Sequence, residues 1–227
     1  MFTTPYNHTK IVATMGPATA NRDTLRQIVQ AGVDVIRLNA SHGTHKEHQD
    51  MIDQVRSIND EERLIVALLL DLQGPKIRMG DLEEPVPIKA GETVRISPAI
   101  DQVSEDGVLP IQYDTFARDV NPGELVMIED GKVRLRVEDV DSDNEIVQLR
   151  VLSGTAIDRR KGVNLPQTPI SLPSLTPKDM RDVAIAIRND LEWIALSFVR
   201  TAEDVHLLRR VLRDSECYAR IISKIEK

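Results

Sequence analysis

The sequence predicts an α/β protein. Its main part is a partial (β/α)8 TIM barrel of five strands, and a small antiparallel β-barrel-like domain is inserted after the third. Three observations carry this expectation. Five short apolar runs alternate with amphipathic helical patterns. Each run carries polar side chains at or just past its C-terminal end. The stretch from about Gly74 to Pro173 is rich in glycine and proline and changes to a period of two.

The predicted strands are Lys10–Gly16, Val33–Asn39, Leu64–Asp71, Glu192–Val199 and Arg220–Glu226. Their apolar residues are mostly continuous, which is expected of parallel strands covered on both faces. Helices are expected between them. Asn21–Gln30 places Leu25, Ile28 and Val29 on one face and ends at Gly32. His45–Asn59 aligns Met51, Ile52, Val55 and Ile58. Thr176-Pro177-Lys178-Asp179 has a capping hydroxyl, proline at the first helical position and an acid two residues on, so a helix starts there. Thr201 to Asp204 repeats the cap before Val205, Leu208, Val211 and Leu212.

Within the insert, Val133, Leu135 and Val137 alternate with Lys132, Arg134 and Arg136, and Val147, Leu149 and Val151 alternate likewise. Asp130-Gly131 signals a hairpin turn. The expected organisation is therefore 1–73 and 174–227 as the barrel part and 74–173 as a β-rich lid domain. An open doubly wound sheet fits the same element order. The polar residues favour the barrel: Thr14, Arg37 with Asn39, Asp71, Arg200, and Lys224 with Glu226 all sit at C-terminal strand ends. A barrel gathers every such end into one ring, whereas an open sheet gathers only those near a switch point.

Bulk properties narrow the function. The net charge of −7 argues against a dedicated nucleic-acid binder, and 3% aromatic residues leave few platforms for stacking bases. The lone Cys217 cannot form an internal disulfide and reads as a small residue near a helix end. Met1–Asn7 lacks the charged and apolar regions of a signal peptide, and the run Leu64–Leu70 is too short to span a bilayer. A cytoplasmic protein is expected.

Lys224 and Glu226 differ by two, so a strand would point both to one face. An ammonium and a carboxylate side by side suit an anionic substrate held with a divalent metal, and they also suit an ion pair that fixes strand register. Arg37 and Asn39 share a face too, and Ser41-His42-Gly43 follows; these groups make an anion cradle or an interior polar layer with a helix cap. His42, His45 and His48 recur at intervals of three; the latter two could share a helix face, which reads first as a solvated first helical turn and second as metal ligands. Lys76 with Arg78, and Arg159-Arg160-Lys161-Gly162, put cations on both hinges of the insert, as in a lid that closes on phosphates. Neither a Walker A motif nor G-x-G-x-x-G is present.

Together these segments resemble the pyruvate kinase family. The resemblance is carried by TKIVATMGPAT at Thr9–Thr19, RLNASHG at Arg37–Gly43, LDLQGPKIR at Leu70–Arg78, KGVNLP at Lys161–Pro166, IALSFVR at Ile194–Arg200 and IISKIE at Ile221–Glu226. It spans essentially the whole chain. It implies transfer of a phosphoryl group from phosphoenolpyruvate to ADP, giving pyruvate and ATP. Lys224 would neutralise the phosphoryl group in flight and the developing enolate. Glu226 would be a carboxylate ligand of Mg²⁺ or Mn²⁺, and Arg37 would contact the transferring group. Thr14, Pro17, Asn39, His42, Arg78 and Lys161 fall where the family holds nucleotide, and Phe198 falls near the substrate pocket. Asn39, Ser41 and Asp71 match potassium ligands, but Leu72 replaces the threonine ligand and Lys76 brings a fixed cation, so a K⁺-independent enzyme is expected.

The family's second metal-binding aspartate, later substrate residues and C-terminal domain lie beyond the matched segments, so this chain alone is expected to be inactive. Open edges at the first and fifth strands invite aggregation. A homotetramer is implied for a full-length relative. Two other readings stay open: a non-catalytic nucleotide-binding module, and another phosphoenolpyruvate-handling barrel enzyme such as a lyase or aldolase.

Overall fold

The computed structural model describes residues 8–226, which form two compact units: 8–75 with 174–226, and 76–173. In chain order the first unit opens with β1 (Val12–Thr14), a 3-10 turn (Pro17–Thr19), α1 (Arg22–Gln30), β2 (Val35–Asn39), α2 (His45–Glu62) and β3 (Ala67–Asp71). The second unit holds β4 (Arg78–Met79), β5 (Val86–Pro87), β6 (Thr93–Ser97), β7 (Val108–Gln112) and the short α3 (Phe116–Asp119). It continues with β8 (Leu125–Ile128), β9 (Val133–Asp141), β10 (Ile146–Ser153), β11 (Ala156–Ile157) and β12 (Val163–Asn164). The first unit then resumes with α4 (Pro177–Arg188), β13 (Trp193–Leu196), α5 (Ala202–Asp214) and β14 (Arg220–Ser223).

The first unit is a five-stranded sheet in the order β1-β2-β3-β13-β14, with every adjacent pair parallel. Sequential order separates it from a doubly wound sheet, in which the order reverses. The core gives a second distinction. Leu25 and Val29 of α1, Ile52 and Val55 of α2, Val183 of α4 and Leu208 of α5 all join one cluster with Ile36, Leu38, Leu68, Leu70, Ile194 and Leu196. These strand residues belong to one face, so all four helices cover the same side. This is the partial (β/α)8 barrel. The expectation that both faces are covered holds along β3 and β13, where consecutive residues are buried, but not along β2, where buried residues alternate with half-exposed Val35, Arg37 and Asn39. The inner face carries the polar side chains, and among the described residues no helix packs there.

The helix ends follow the sequence signals. Asn21 Oδ1 accepts from the Thr24 amide at 2.9 Å. Thr44, Thr176 and Thr201 each form a capping box, with Glu47, Asp179 and Asp204. Gly32, at φ 98°, takes the left-handed position just past α1. Strands are shorter than the apolar runs. The clearest difference is β14, which ends at Ser223, so Lys224 and Glu226 lie just beyond the strand rather than within it. Lys224 still donates its amide to the Leu196 carbonyl at 3.0 Å.

The second unit has its own core. Its seven-stranded sheet runs β12-β8-β9-β10-β6-β7-β4. The two outer strands meet through an antiparallel bridge between Arg78 and Gly162, which closes the sheet into a small barrel. It is not wholly antiparallel, since β6 and β7 pair in parallel. Residues 98–107 form a connection long enough to carry the chain back to the same end. The hairpin between β8 and β9 turns at residues 129–132, with Glu129, Asp130 and Gly131 all at positive φ. At Gly131 the φ of 88° favours glycine, and a Cβ there would also displace the Met127 methyl, 2.8 Å away.

Among the described residues no helix is long and apolar enough to cross a membrane. The edge strands carry exposed Val12 and Ile222, with exposed Ile11 just before β1 and Ile225 just after β14.

Candidate active site

Parallel register brings the ends of β1, β2 and β3 together. Thr14 lies opposite Arg37, and Asn39 opposite Asp71. Arg37 Nη1 donates to Thr14 Oγ1 at 2.9 Å. The same guanidinium turns Nε onto Asp71 Oδ2 at 2.8 Å and adds Nη2 to that oxygen. From just past β14, Lys224 Nζ donates to Asp71 Oδ1 at 3.0 Å, Asp71 Oδ2 at 3.3 Å and Ser197 Oγ at 2.8 Å. The Asp71 side chain is 4% exposed, against 28% for Arg37 and 29% for Lys224. A buried carboxylate thus ties two cations whose side chains remain partly exposed. The three groups sum to one positive charge, which suits an anion.

Glu226 adds a carboxylate at the rim. Its Oε2 accepts from the Phe198 amide at 2.9 Å, and its Oε1 lies 3.5 Å from Lys224 Nζ. Phe198 takes φ 55°, a left-handed conformation that costs a non-glycine residue about 1–3 kcal/mol and marks functional sites. It is held there by the Glu226 bond and by the following Val199 amide, which donates to the Lys224 carbonyl at 3.0 Å.

The donor set fits a share of a Mg²⁺ site. That ion commonly takes one or two carboxylates and fills its shell with water and substrate oxygens. Among the described residues, Glu226 Oε1 meets only the Lys224 ammonium, at the edge of ion-pair distance, so it keeps lone pairs for a hard cation. Asp71 does not: both its oxygens are taken. No group of three or more His, Cys, Asp or Glu side chains able to hold a metal occurs among the described residues.

Asn39 Oδ1 accepts from the Ser41 amide at 3.0 Å, and the Asn39 carbonyl accepts from the His42 amide at 3.1 Å. The three histidines do not converge on a metal. His45 Nε2 meets buried Asp182 Oδ1 at 2.8 Å. Burial lowers the His48 pKa, partly offset by a hydrogen bond to the His42 backbone. Exposed Pro17 begins the 3-10 turn after β1. Leu72 is buried in the apolar core and offers no side-chain oxygen.

Three supporting features escaped the sequence reading. Ser197 donates to the Leu72 carbonyl at 2.6 Å, which turns its lone pairs towards Lys224. Lys178 Nζ bonds the Ala40 carbonyl and Asp182, both at 2.6 Å, and so holds the end of β2 against α4. Asp179 accepts from the Gly74 amide at 3.0 Å, holding the loop after β3. The available signals were a hydroxyl inside the apolar run IALSFV and polar residues four apart on α4.

In the second unit the two basic hinges pair as neighbouring strands. Met79 donates to the Lys161 carbonyl and Val163 to the Ile77 carbonyl, both at 2.9 Å, so Arg78 and Lys161 come together. Arg78 Nη1 donates to the Arg160 carbonyl at 3.0 Å. Lys161 Nζ lies 3.1 Å from Glu129 Oε1 and 3.8 Å from Asp158 Oδ2. Arg160 is engaged by Asp81 through two bonds of 2.7 Å. Lys76 is exposed and is the first residue of this unit.

The family model for the pyruvate kinase barrel domain matches residues 6–227. The pyruvate kinase of Corynebacterium efficiens is 40% identical over 220 residues, covering 96% of this chain and 46% of its own length. That of Agaricus bisporus is 39% identical over 231 residues, covering 99% and 43%. That of Staphylococcus aureus is 34% identical over 220 residues, covering 96% and 37%. The chain spans less than half the length of these relatives, and by the extent of the family match it belongs to the pyruvate kinase family.

Proposed function

We propose that this chain contributes to transfer of a phosphoryl group from phosphoenolpyruvate to ADP, a cytoplasmic reaction that closes glycolysis. The observation that carries the reading is the pair of cations, Arg37 and Lys224, tied to one buried carboxylate with their side chains part-exposed. Phosphoryl transfer needs positioning and charge neutralisation more than covalent chemistry, and such a pair supplies both.

In this reading Arg37 holds the transferring phosphoryl group. Lys224 neutralises that group and the oxygen that becomes the enolate. Asp71 and Ser197 occupy the ammonium on one side, which leaves it a proton for the substrate on the other. Phe198 packs beside the substrate. Glu226 would hold Mg²⁺ or Mn²⁺, which when bound supplies Lewis-acid polarisation of substrate oxygens. Thr14, Pro17, Asn39 and His42 are assigned to the nucleotide in the first unit, and Arg78 and Lys161 to its phosphates in the second. The absence of a side-chain oxygen at Leu72 supports independence from K⁺, with Lys76 as a fixed cation. The chain by itself is assigned binding without turnover, and the longer protein a homotetramer.

The test is calorimetric binding of phosphoenolpyruvate with Mg²⁺, with and without K⁺, alongside pyruvate formation, for this chain and Lys224→Met. Loss of one charged hydrogen bond predicts about 10- to 100-fold weaker binding in the variant. Equal binding to both chains overturns the reading. A large gain in affinity or rate on adding K⁺ overturns K⁺ independence.

A further inference from the structure

The Lys161 ammonium is already occupied, and its partner is instructive. Glu129 Oε1 lies 3.1 Å from Lys161 Nζ and 2.8 Å from Lys132 Nζ. One carboxylate oxygen therefore holds two ammonium groups, which is the arrangement expected of a bridging phosphate oxygen. The backbone fixes it there. Glu129 takes φ 53° at the start of the 129–132 turn, and its amide donates to the Gly162 carbonyl at 2.9 Å. β8 and β12 pair next to it, with Ile128 opposite Val163. The turn and the hinge carrying Lys161 are thereby locked side by side. Lys132 and then Lys161 hold the Glu129 carboxyl below the usual carboxylate range, so it is ionised at neutral pH.

We propose that Glu129 is a built-in competitor of the anion that Lys161 binds: it occupies the ammonium when the site is free and gives way to a phosphate. This rests on the assignment of Lys161 to nucleotide phosphates. The side chains of Lys161 and Glu129 are each about one-third exposed, at 34% and 32%, so the pair is partly screened and can be displaced. Gly162 adds access: a Cβ built there meets only Lys76 Cε, at 3.5 Å, so the backbone beside Lys161 is open on that side. Displacement would also release Lys132, giving the anion a second cation from the same turn.

The competitor lowers affinity by the strength of the pair it forms. Exposed ion pairs of this kind correspond to about a 1.5- to 5-fold change in an equilibrium constant. Inorganic tripolyphosphate is the probe, because it needs neither a base nor the substrate site. Binding is measured by calorimetry at low salt for the full chain and for Glu129→Gln, Lys161→Met and the double variant, with Glu129→Ala as a second removal of the carboxylate. Folding of each is verified by circular dichroism. The expected result is roughly 1.5- to 5-fold tighter binding in both Glu129 variants, weaker binding in Lys161→Met, and a smaller gain from Glu129→Gln once Lys161 is gone, because only Lys132 is then released. The gain should shrink at higher salt. If Glu129→Gln tightens binding equally in the Lys161→Met background, the effect is general charge and the proposal fails. It fails equally if neither Glu129 variant binds more tightly. If Lys161→Met binds as tightly as the wild type, the assignment of Lys161 itself is wrong, and the competitor has nothing to compete for.

Discussion

Replacing Asp71 with asparagine keeps the shape of the side chain and removes the charge on which Arg37 and Lys224 converge. Breaking a buried ion pair costs about 3–5 kcal/mol, because the remaining charge is stranded. Here the two cations are 28% and 29% exposed and can turn towards water, so the cost falls to about 2–4 kcal/mol. Lys224→Met is the comparison. It leaves Asp71 bonded to Arg37, and the loss should be only about 1–2 kcal/mol. Trp193, the sole tryptophan, sits at the start of β13, so its fluorescence reports unfolding of the parallel-sheet unit. In urea the Asp71→Asn midpoint should fall by roughly 1–2 M, about twice the shift of Lys224→Met, for a slope of about 2 kcal/mol/M. A Lys224→Met variant as destabilised as Asp71→Asn would refute the claim that the cluster is organised around the carboxylate.

Gly74→Ala should destabilise the same unit by about 1–3 kcal/mol, since φ is 67° and the new Cβ would sit 3.0 Å from both Ser197 Cβ and Phe198 Cδ2; an unchanged urea midpoint would contradict it. Asp179→Ala removes a fully buried cap that accepts from Gly74 N, Thr176 N and Thr176 Oγ1, and the cost should be about 2–4 kcal/mol in the same assay, with less than 1 counting against it. Asp34 accepts from the Ile11 amide and pairs with Lys10, and these hold its carboxyl below the ordinary range, the amide first. A depressed folded value means that the tie to β1 is complete above about pH 4 and is lost as pH falls below it. Exchange of the Ile11 amide, corrected for its intrinsic rate, should accelerate in that window in the wild type and show no such step in Asp34→Asn.

The strands of the first unit were legible because apolar runs such as Leu68–Leu70 are buried, and the helices because their caps are local. Strand ends were not, since they depend on where hydrogen-bonded neighbours stop: Lys224 and Glu226 read as strand residues and lie just after one. Same-face alternation along β2 foresaw that Arg37 and Asn39 share a side, and register then brought Thr14 and Asp71 beside them. What local pattern could not reveal were long-range partners. Ser197 reads as an ordinary polar interruption until the fold places it 2.8 Å from Lys224. Asp182 reads as a surface position on α4 until Lys178 and His45 close over it. The parallel pairing of β6 and β7 was likewise hidden, because alternation marks a strand but not its direction.

The three capping boxes have a further consequence. Each helix of the barrel part begins after a strand, so its positive end lies at the end of the unit where Arg37 and Lys224 converge. In three of them that end is already answered from within, by Glu47, Asp179 and Asp204. Peptide dipoles that could have drawn in a phosphate are spent on the scaffold instead. At these three helix ends, attraction for a ligand is thereby delegated to a few long side chains that can be altered one at a time.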